Sequence, residues 1–257
     1  MKNYQEKKWL EHEYETKSTY QIAKSEDVSP ETIRKWMIYF GINRREANDI
    51  NYLNMSDALS DFMTGTMLGD GSISWGYAGV SAYYAISSVH KEYLVYVMKK
   101  LSELGIELRG NIDLVCKGKY RYWQMHSKYY REALPYLRKM WYPDGKKSLP
   151  NNFEFTNESL MTFYIEDGSL TTISGRNRIC LAVNGFTEVE SNIIVDKLKN
   201  LLGGDEIFLH NYRQGPTIWI FSKSLVKKFF DFIGPCPREL ENAFGYKWGN
   251  CFTQRML

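Results

Sequence analysis

The sequence predicts an α+β fold built as a tandem, pseudo-twofold repeat of antiparallel sheets and helices, with a small all-α domain in front of it. Three observations carry this. A sixteen-residue stretch occurs twice, as LSDFMTGTMLGDGSIS at Leu59–Ser74 and as TNESLMTFYIEDGSLT at Thr156–Thr171. Each copy is an apolar, helix-length segment that stops at an acidic residue followed by Gly-Ser, and Asp70 and Asp167 lie 97 residues apart. The order of helix-like and strand-like spacing after each copy is also the same, whereas residues 1–42 carry helical spacing only.

The chain's 257 residues suit one large or two small domains, and a 44% hydrophobic content is enough for a core. The formal net charge is only +3, so any polyanion partner must be read from local clusters of charge. Cys116, Cys180, Cys236 and Cys251 form no C-x-x-C pair and no zinc spacing with His. They read as reduced thiols of an intracellular protein. With no signal peptide and no apolar run near the length of a membrane span, the chain is expected to be neither secreted nor membrane-bound.

In the first unit, Trp9, Leu10 and Tyr14 give helical spacing, and Ile22 and Ala23 mark a second short helix. Ser29 is an N-cap and Pro30 a first helical residue. The helix they open buries Ile33, Trp36, Met37 and Phe40 and stops at Gly41. Two short helices, a tight turn and a third helix exposing Arg34 and Lys35 resemble a helix-turn-helix that contacts DNA. Residues 43–58 follow as an Asn-rich linker, basic at Arg44 and Arg45.

The first half spans residues 59–150 and the second residues 151–257. In the first, Ile73–Val89 reads as a hairpin and Glu92–Leu104 as a helix ended by Gly105. Leu108–Met125 reads as strand broken at Lys117-Gly118-Lys119, and Ser127 is expected to open a helix through Lys139. In the second, Arg178–Val183 is a strand and Thr187 caps a helix Glu188–Leu202 ended by Gly203-Gly204. Ile207–Tyr212 and Thr217–Phe221 form a hairpin, and Ser222 or Ser224 opens a helix through Phe232. Such halves, joined in tandem, place the two motif helices at their seam.

The duplicated stretch carries the chemistry. Gly71 and Gly168 are expected just past helix ends, where glycine tolerates the left-handed conformation. Asp70 and Asp167 then fall at helix C-termini, beside unpaired carbonyls and the negative end of the helix dipole. A carboxylate there calls for a compensating cation. Two such ends side by side form a hard-oxygen site suited to Mg²⁺ or Ca²⁺. Gly65 and Gly69, one turn apart, let a second helix approach closely.

MTGTMLGDG (Met63–Gly71) and LMTFYIEDG (Leu160–Gly168) resemble the two motifs of the LAGLIDADG homing endonucleases, in their single-chain, two-motif branch. The resemblance covers roughly residues 59–250 and implies a site-specific double-strand DNA endonuclease acting as a monomer. It implies Asp70 and Asp167 as catalytic metal ligands, aided by the carbonyls of Gly69 and Glu166, with Mg²⁺ as cofactor and Mn²⁺ or Ca²⁺ able to take its place. It further implies one lysine per half: Lys146, or its neighbour Lys147, and Lys247. Glu166 departs from the usual second-motif Asp, and Ser88 and Asn184 stand where the family often carries Gln. The same resemblance admits two rivals, a non-catalytic DNA-binding regulator and a maturase that binds intron RNA.

Between Leu108 and Arg131 lie six Lys or Arg against one acid, Asp113. Strand alternation places Arg121, Trp123 and Met125 on one face and Tyr120, Tyr122 and Gln124 on the other. Lys117, Lys119 and Arg121, with Arg176, Arg178, Arg213 and Gln214 in the second half, are the candidate DNA contacts for sheets lying in the major groove.

Overall fold

The computed structural model describes residues 2–17, 19–42, 51–76, 79–212 and 215–249. The chain divides into two compact units, residues 1–49 and 50–257.

The first unit holds three helices, α1 (Lys7–Thr16), α2 (Thr19–Ser25) and α3 (Pro30–Tyr39). They close over their own core of Tyr4, Leu10, Ile22, Ala23, Ile33 and Met37. The hydroxyl of Ser29 accepts the Thr32 N–H, and Pro30 occupies the first turn of α3, as the sequence suggests. The turn from α2 into α3 holds Asp27 at φ 52°, a conformation that Asp tolerates better than most residues. Arg34 and Lys35 are exposed on α3, with Arg34 3.3 Å from Glu31.

The second unit repeats one topology. Its first sheet sets β2 (Ser72–Trp75), β3 (Ala82–Ser88), β5 (Tyr120–His126) and β4 (Asp113–Lys117) side by side in antiparallel pairs. The other sheet sets β7 (Gly168–Ile173), β8 (Arg176–Ala182), β10 (Gly215–Ile220) and β9 (Ile207–Tyr212) in the equivalent order. Helices α4 (Asp57–Leu68), α5 (Lys91–Glu103) and α6 (Ala133–Trp141) belong to the first half. Helices α7 (Asn157–Asp167), α8 (Glu188–Leu202), α9 (Lys223–Ile233) and the short α10 (Glu241–Phe244) belong to the second. One continuous core joins the halves, from Phe62, Tyr84 and Trp141 to Phe163, Ile179 and Phe229. Helices α4 and α7 are buried on nearly every side. That is why their sequences are apolar throughout instead of showing one apolar stripe.

The fold departs from the sequence-based expectation in four places. The linker expectation fails over residues 51–58: β1 (Asn51–Leu53) pairs in parallel with β6 (Tyr130–Glu132), and α4 starts at Asp57 behind a Ser56 N-cap. Residues 43–50 lie outside the described residues, as do Arg213 and Gln214. Ser127 does not open a helix. Its hydroxyl accepts the Tyr84 N–H within the sheet, β6 follows, and α6 begins only after Glu132 turns the chain at φ 71°. Residues from Gly168 to Ile173 form β7, a strand that the sequence pattern did not suggest. Finally, Gly71 and Gly168 are not left-handed: Gly168 has φ −93°. They are glycines because a Cβ would meet Thr66 O at 2.7 Å and Tyr164 O at 2.5 Å.

Helix α8 starts as the sequence requires. Thr187 caps it and Glu190 reaches back to the Thr187 N–H at 2.8 Å, a reciprocal capping box. Glu190 also accepts from Ser148 Oγ and Leu149 N, both at 2.7 Å, so it ties α8 to the segment before α7. Partial desolvation acts to raise its pKa, but the hydrogen bonds from Thr187, Ser148 and Leu149 outweigh it and hold the carboxyl at about 2. A depressed carboxylate stabilises the fold above its unfolded pKa and loses that contribution as pH falls through the folded one. Glu190→Gln should therefore lower stability at pH 7 by roughly 1 kcal/mol, a Tm drop of about 2–4 °C for a domain of this size. The gap between variant and wild type should narrow as pH falls from about 4.5 toward 2, as read by thermal denaturation across that range.

Candidate active site

The site forms where α4 and α7 end together. At Gly65, an added Cβ would stand 2.6 Å from both Ser159 O and Thr162 Cβ of α7. At Gly69 it would meet Glu166 Oε2 at 2.2 Å. Both glycines therefore admit the partner helix, as their one-turn spacing implies.

Glu166 fills the space over Gly69. Its carboxyl accepts the backbone N–H of Asp70 at 2.5 Å and the hydroxyl of Tyr93, from α5. Desolvation and the negative charge of Asp70 push its pKa well above the ordinary carboxyl range, only partly offset by those two hydrogen bonds. The side chain thus reaches out of the second half and fixes the acidic end of the first. Its role as a carbonyl ligand is an expectation from sequence; the side-chain bridge is a separate role that the residue's type alone does not reveal. Tyr93 hides among the apolar spacing of its helix, although burial raises its pKa well above 10.

Asp70 and Asp167 lie at the two helix ends. Desolvation raises the pKa of each; Lys147 and Lys247 oppose it at both, while the charge of Asp70 adds to it at Asp167, which reaches about 7. Two carboxylates so raised are the ones a divalent cation would relieve. Among the described residues no group of three His, Cys, Asp or Glu forms a cage. Two carboxylates and nearby carbonyls could hold only a metal that takes its other ligands from water and phosphate.

A lysine closes each helix end. Lys147 Nζ donates to Gly69 O at 2.8 Å and Gly71 O at 3.0 Å. Lys247 Nζ donates to Ile165 O at 2.6 Å and Tyr164 O at 3.4 Å. Of the two first-half lysines left open by the sequence, it is Lys147 that reaches the helix end, while Lys146 is exposed. An ammonium on terminal carbonyls complements the helix dipole. Burial lowers both lysines, Lys247 to about 8, against the pull of the neighbouring carboxylates. A cleft of about 350 Å³ opens beside Asp70 and is lined by Ser87, Ser88, Tyr93, Glu166 and Lys247. Ser88 therefore reaches the site, whereas Asn184 stands by Gly215.

Each sheet packs one face on the core and leaves the other open. Pairing puts Lys117 on the open face of the first sheet with Tyr120 and Gln124. Arg121 lies on the opposite face with Trp123 and buried Met125, beyond the edge of the core. Lys119 sits in the turn, its Nζ 5.5 Å from the centre of the Tyr120 ring. Arg176 and Arg178 lie on the open face of the second sheet, opposite buried Ile179 and Leu181.

The model of the LAGLIDADG DNA endonuclease family matches residues 60–227. The chain belongs to that family. An uncharacterized protein of Methanocaldococcus jannaschii, MJ1098, is 29% identical over 207 residues, covering 76% of this chain and 77% of its own. The homing endonuclease I-WcaI bound to its DNA recognition sequence superposes with a TM-score of 0.67 at 17% identity, over 80% of this chain and 93% of that one. I-DmoI in complex with DNA and Mn gives 0.42 at 16% identity, over 70% and 98%. The first of these structures establishes the tandem fold. No helix among the described residues is long and apolar enough to cross a membrane.

The seam itself is testable. Gly65→Ala sets a methyl against a backbone oxygen that cannot rotate away, so the helices must part. The expected cost is about 1–3 kcal/mol, read as a lower urea midpoint with an unchanged slope.

Proposed function

We propose that this chain is a site-specific double-strand DNA endonuclease of the homing type. The observation that carries the reading is the pairing of Asp70 and Asp167 at two abutting helix ends, each beside a lysine. The two carboxylates, with the carbonyls of Gly69 and Glu166, would hold Mg²⁺. Bound there, a divalent metal supplies an activated water and stabilises the leaving 3′ oxygen. Lys147 and Lys247 hold positive charge next to those ends, placed to orient water and to offset charge developing on the phosphate. Glu166 keeps Asp70 in position through its N–H, so the two halves act as one site. The open sheet faces, with Lys117, Arg176 and Arg178, supply phosphate and base contacts in the major groove. In the first unit, α3 presents Arg34 and Lys35 as a recognition helix would.

Asp70→Asn or Asp167→Asn should abolish double-strand cleavage in Mg²⁺ while preserving specific binding. Cleavage gels beside mobility shifts measure both, and full cutting by either variant would reject the metal assignment. Lys147→Met and Lys247→Met should each slow cutting at least tenfold, about 1.4 kcal/mol in the barrier, with affinity nearly intact. Lys146→Met should cut like wild type in single-turnover assays on end-labelled strands.

Deleting residues 1–42 should weaken DNA binding and shorten the footprint on one flank, while cleavage persists at the same positions at high protein concentration. The slope of log affinity against log salt should become shallower by roughly one per phosphate that the unit neutralises. An unchanged footprint and slope would overturn the helix-turn-helix reading of this unit.

A further inference from the structure

The open faces of the two sheets are chemically unlike. On the first, the rows nearest Asp70 carry Ser72, Ser74, Tyr83, Ala85, Ser87, Gln124 and His126, with Gln124 Nε2 and His126 Nε2 2.8 Å apart and the Tyr83 ring edge-on to His126 at 5.7 Å. All but Ala85 carry a hydrogen-bonding group, and the aromatic rings among them are those of Tyr and His, with polar atoms of their own. On the second, the row that begins at Ser169, two residues from Asp167, runs through Cys180 and Trp219 to Phe208. Phe221 follows on the same face after β10. It stacks on Trp219 with centroids 5.9 Å apart and 18° between the planes, and touches Phe208 at 5.9 Å. The Arg178 guanidinium lies 5.0 Å over the Phe221 ring. Phe208 is 47% exposed. An aromatic cluster thus occupies the face of the sheet turned away from the core.

The charge of this face suits a polyanion. Strands β7, β8, β9 and β10 contain no Asp or Glu, and Arg176 and Arg178 lie on the open face. Ring geometry decides how the polyanion is read. Phe221 is already engaged by Trp219 and Arg178, so it is not a free platform for an unstacked base, which single-stranded recognition requires. What the cluster offers outward is apolar surface, chiefly of Phe208, and in the major groove the apolar feature of a base pair is the C5-methyl group of thymine.

We infer that the second half reads its side of the target through thymine methyl groups, with Phe208 and the Trp219–Phe221 pair as the specificity-determining surface, whereas the first half reads by polar contacts. The inference rests on the duplex-DNA reading above. It makes the target asymmetric in a defined way: thymine-dependent on one flank of the cut and hydrogen-bond-dependent on the other.

The test uses the full chain in buffer without divalent cations, so that bound duplexes stay intact. Duplexes bound from a randomised library are sequenced, and Phe208→Ala identifies the flank facing the second half as the one whose preference it changes. Deoxyuridine then replaces thymine on each flank in turn. Removing the methyl group should weaken binding roughly three- to fivefold per contacted base on the second-half flank, and not on the other. Phe208→Ala should bind thymine and uracil duplexes alike, with its thermal midpoint near that of wild type, because its side chain is exposed. Equal binding of the two duplexes by wild type would overturn the inference and leave the endonuclease reading standing. Tighter binding to unpaired strands than to duplex would overturn it in favour of base stacking. A failure to bind any duplex would overturn both.

Discussion

Two helix ends meet without room for side chains between them, and the rest of the second unit is arranged around that contact. Gly65 and Gly69 remove the Cβ atoms that would hold α7 off, and Thr162 and Glu166 occupy the space so released. Each helix is then buried on almost all sides, which requires sheets and outer helices to cover it from both halves. A core drawn from both halves is the result. The acidic ends could not otherwise lie together: a carboxylate at a helix C-terminus is opposed by the dipole, and a second carboxylate opposes it further.

Compensation comes from several sources. Lys147 and Lys247 place ammonium groups on the carbonyls that each helix leaves unpaired. Glu166 is partly neutralised by donors, the Asp70 N–H and the Tyr93 hydroxyl. Asp70 and Asp167 are compensated only in part by the same two lysines, and both remain raised in pKa. The fold has thus satisfied the carbonyls and left an acidic pair raised in pKa, the pair to which the proposed function assigns a divalent cation. Hydrogen bonds from lysine to a carbonyl and a metal on the same oxygen are compatible, since a carbonyl oxygen has two lone pairs.

Much of this is legible in the sequence, because its strongest signals are physical ones. The duplicated Asp-Gly-Ser marks both helix ends, the Gly65 and Gly69 spacing marks the close approach, and Ser29-Pro30 and Thr187-Glu190 mark helix starts. The misreadings have equally physical origins. Ser127 has the residue type of an N-cap but commits its hydroxyl to a sheet N–H, a tertiary contact no local pattern reveals. β1 has no periodicity of its own because it is three residues long and exists only by pairing with β6. Lys146 and Lys147 both stay open in the sequence, since they are identical in type and only burial separates them. Arg121 falls with its strand neighbours as alternation requires, but which face the helices cover depends on Met125 and Ile86 pairing across two strands.

Residues 65 and 162 are equivalent positions of the two motifs, as are 69 and 166, and in each pair a glycine faces a larger side chain. The seam is therefore keyed, with the holes on one half and the knobs on the other. Two copies of the first half would meet with empty holes on both sides, and two copies of the second would press Thr against Thr and one carboxyl against another. Neither half can assemble with itself in this geometry, so the halves are obligate complements. Transplanting one half beside a foreign partner requires that the partner bring the matching set of small or large residues, whatever DNA it was selected to read.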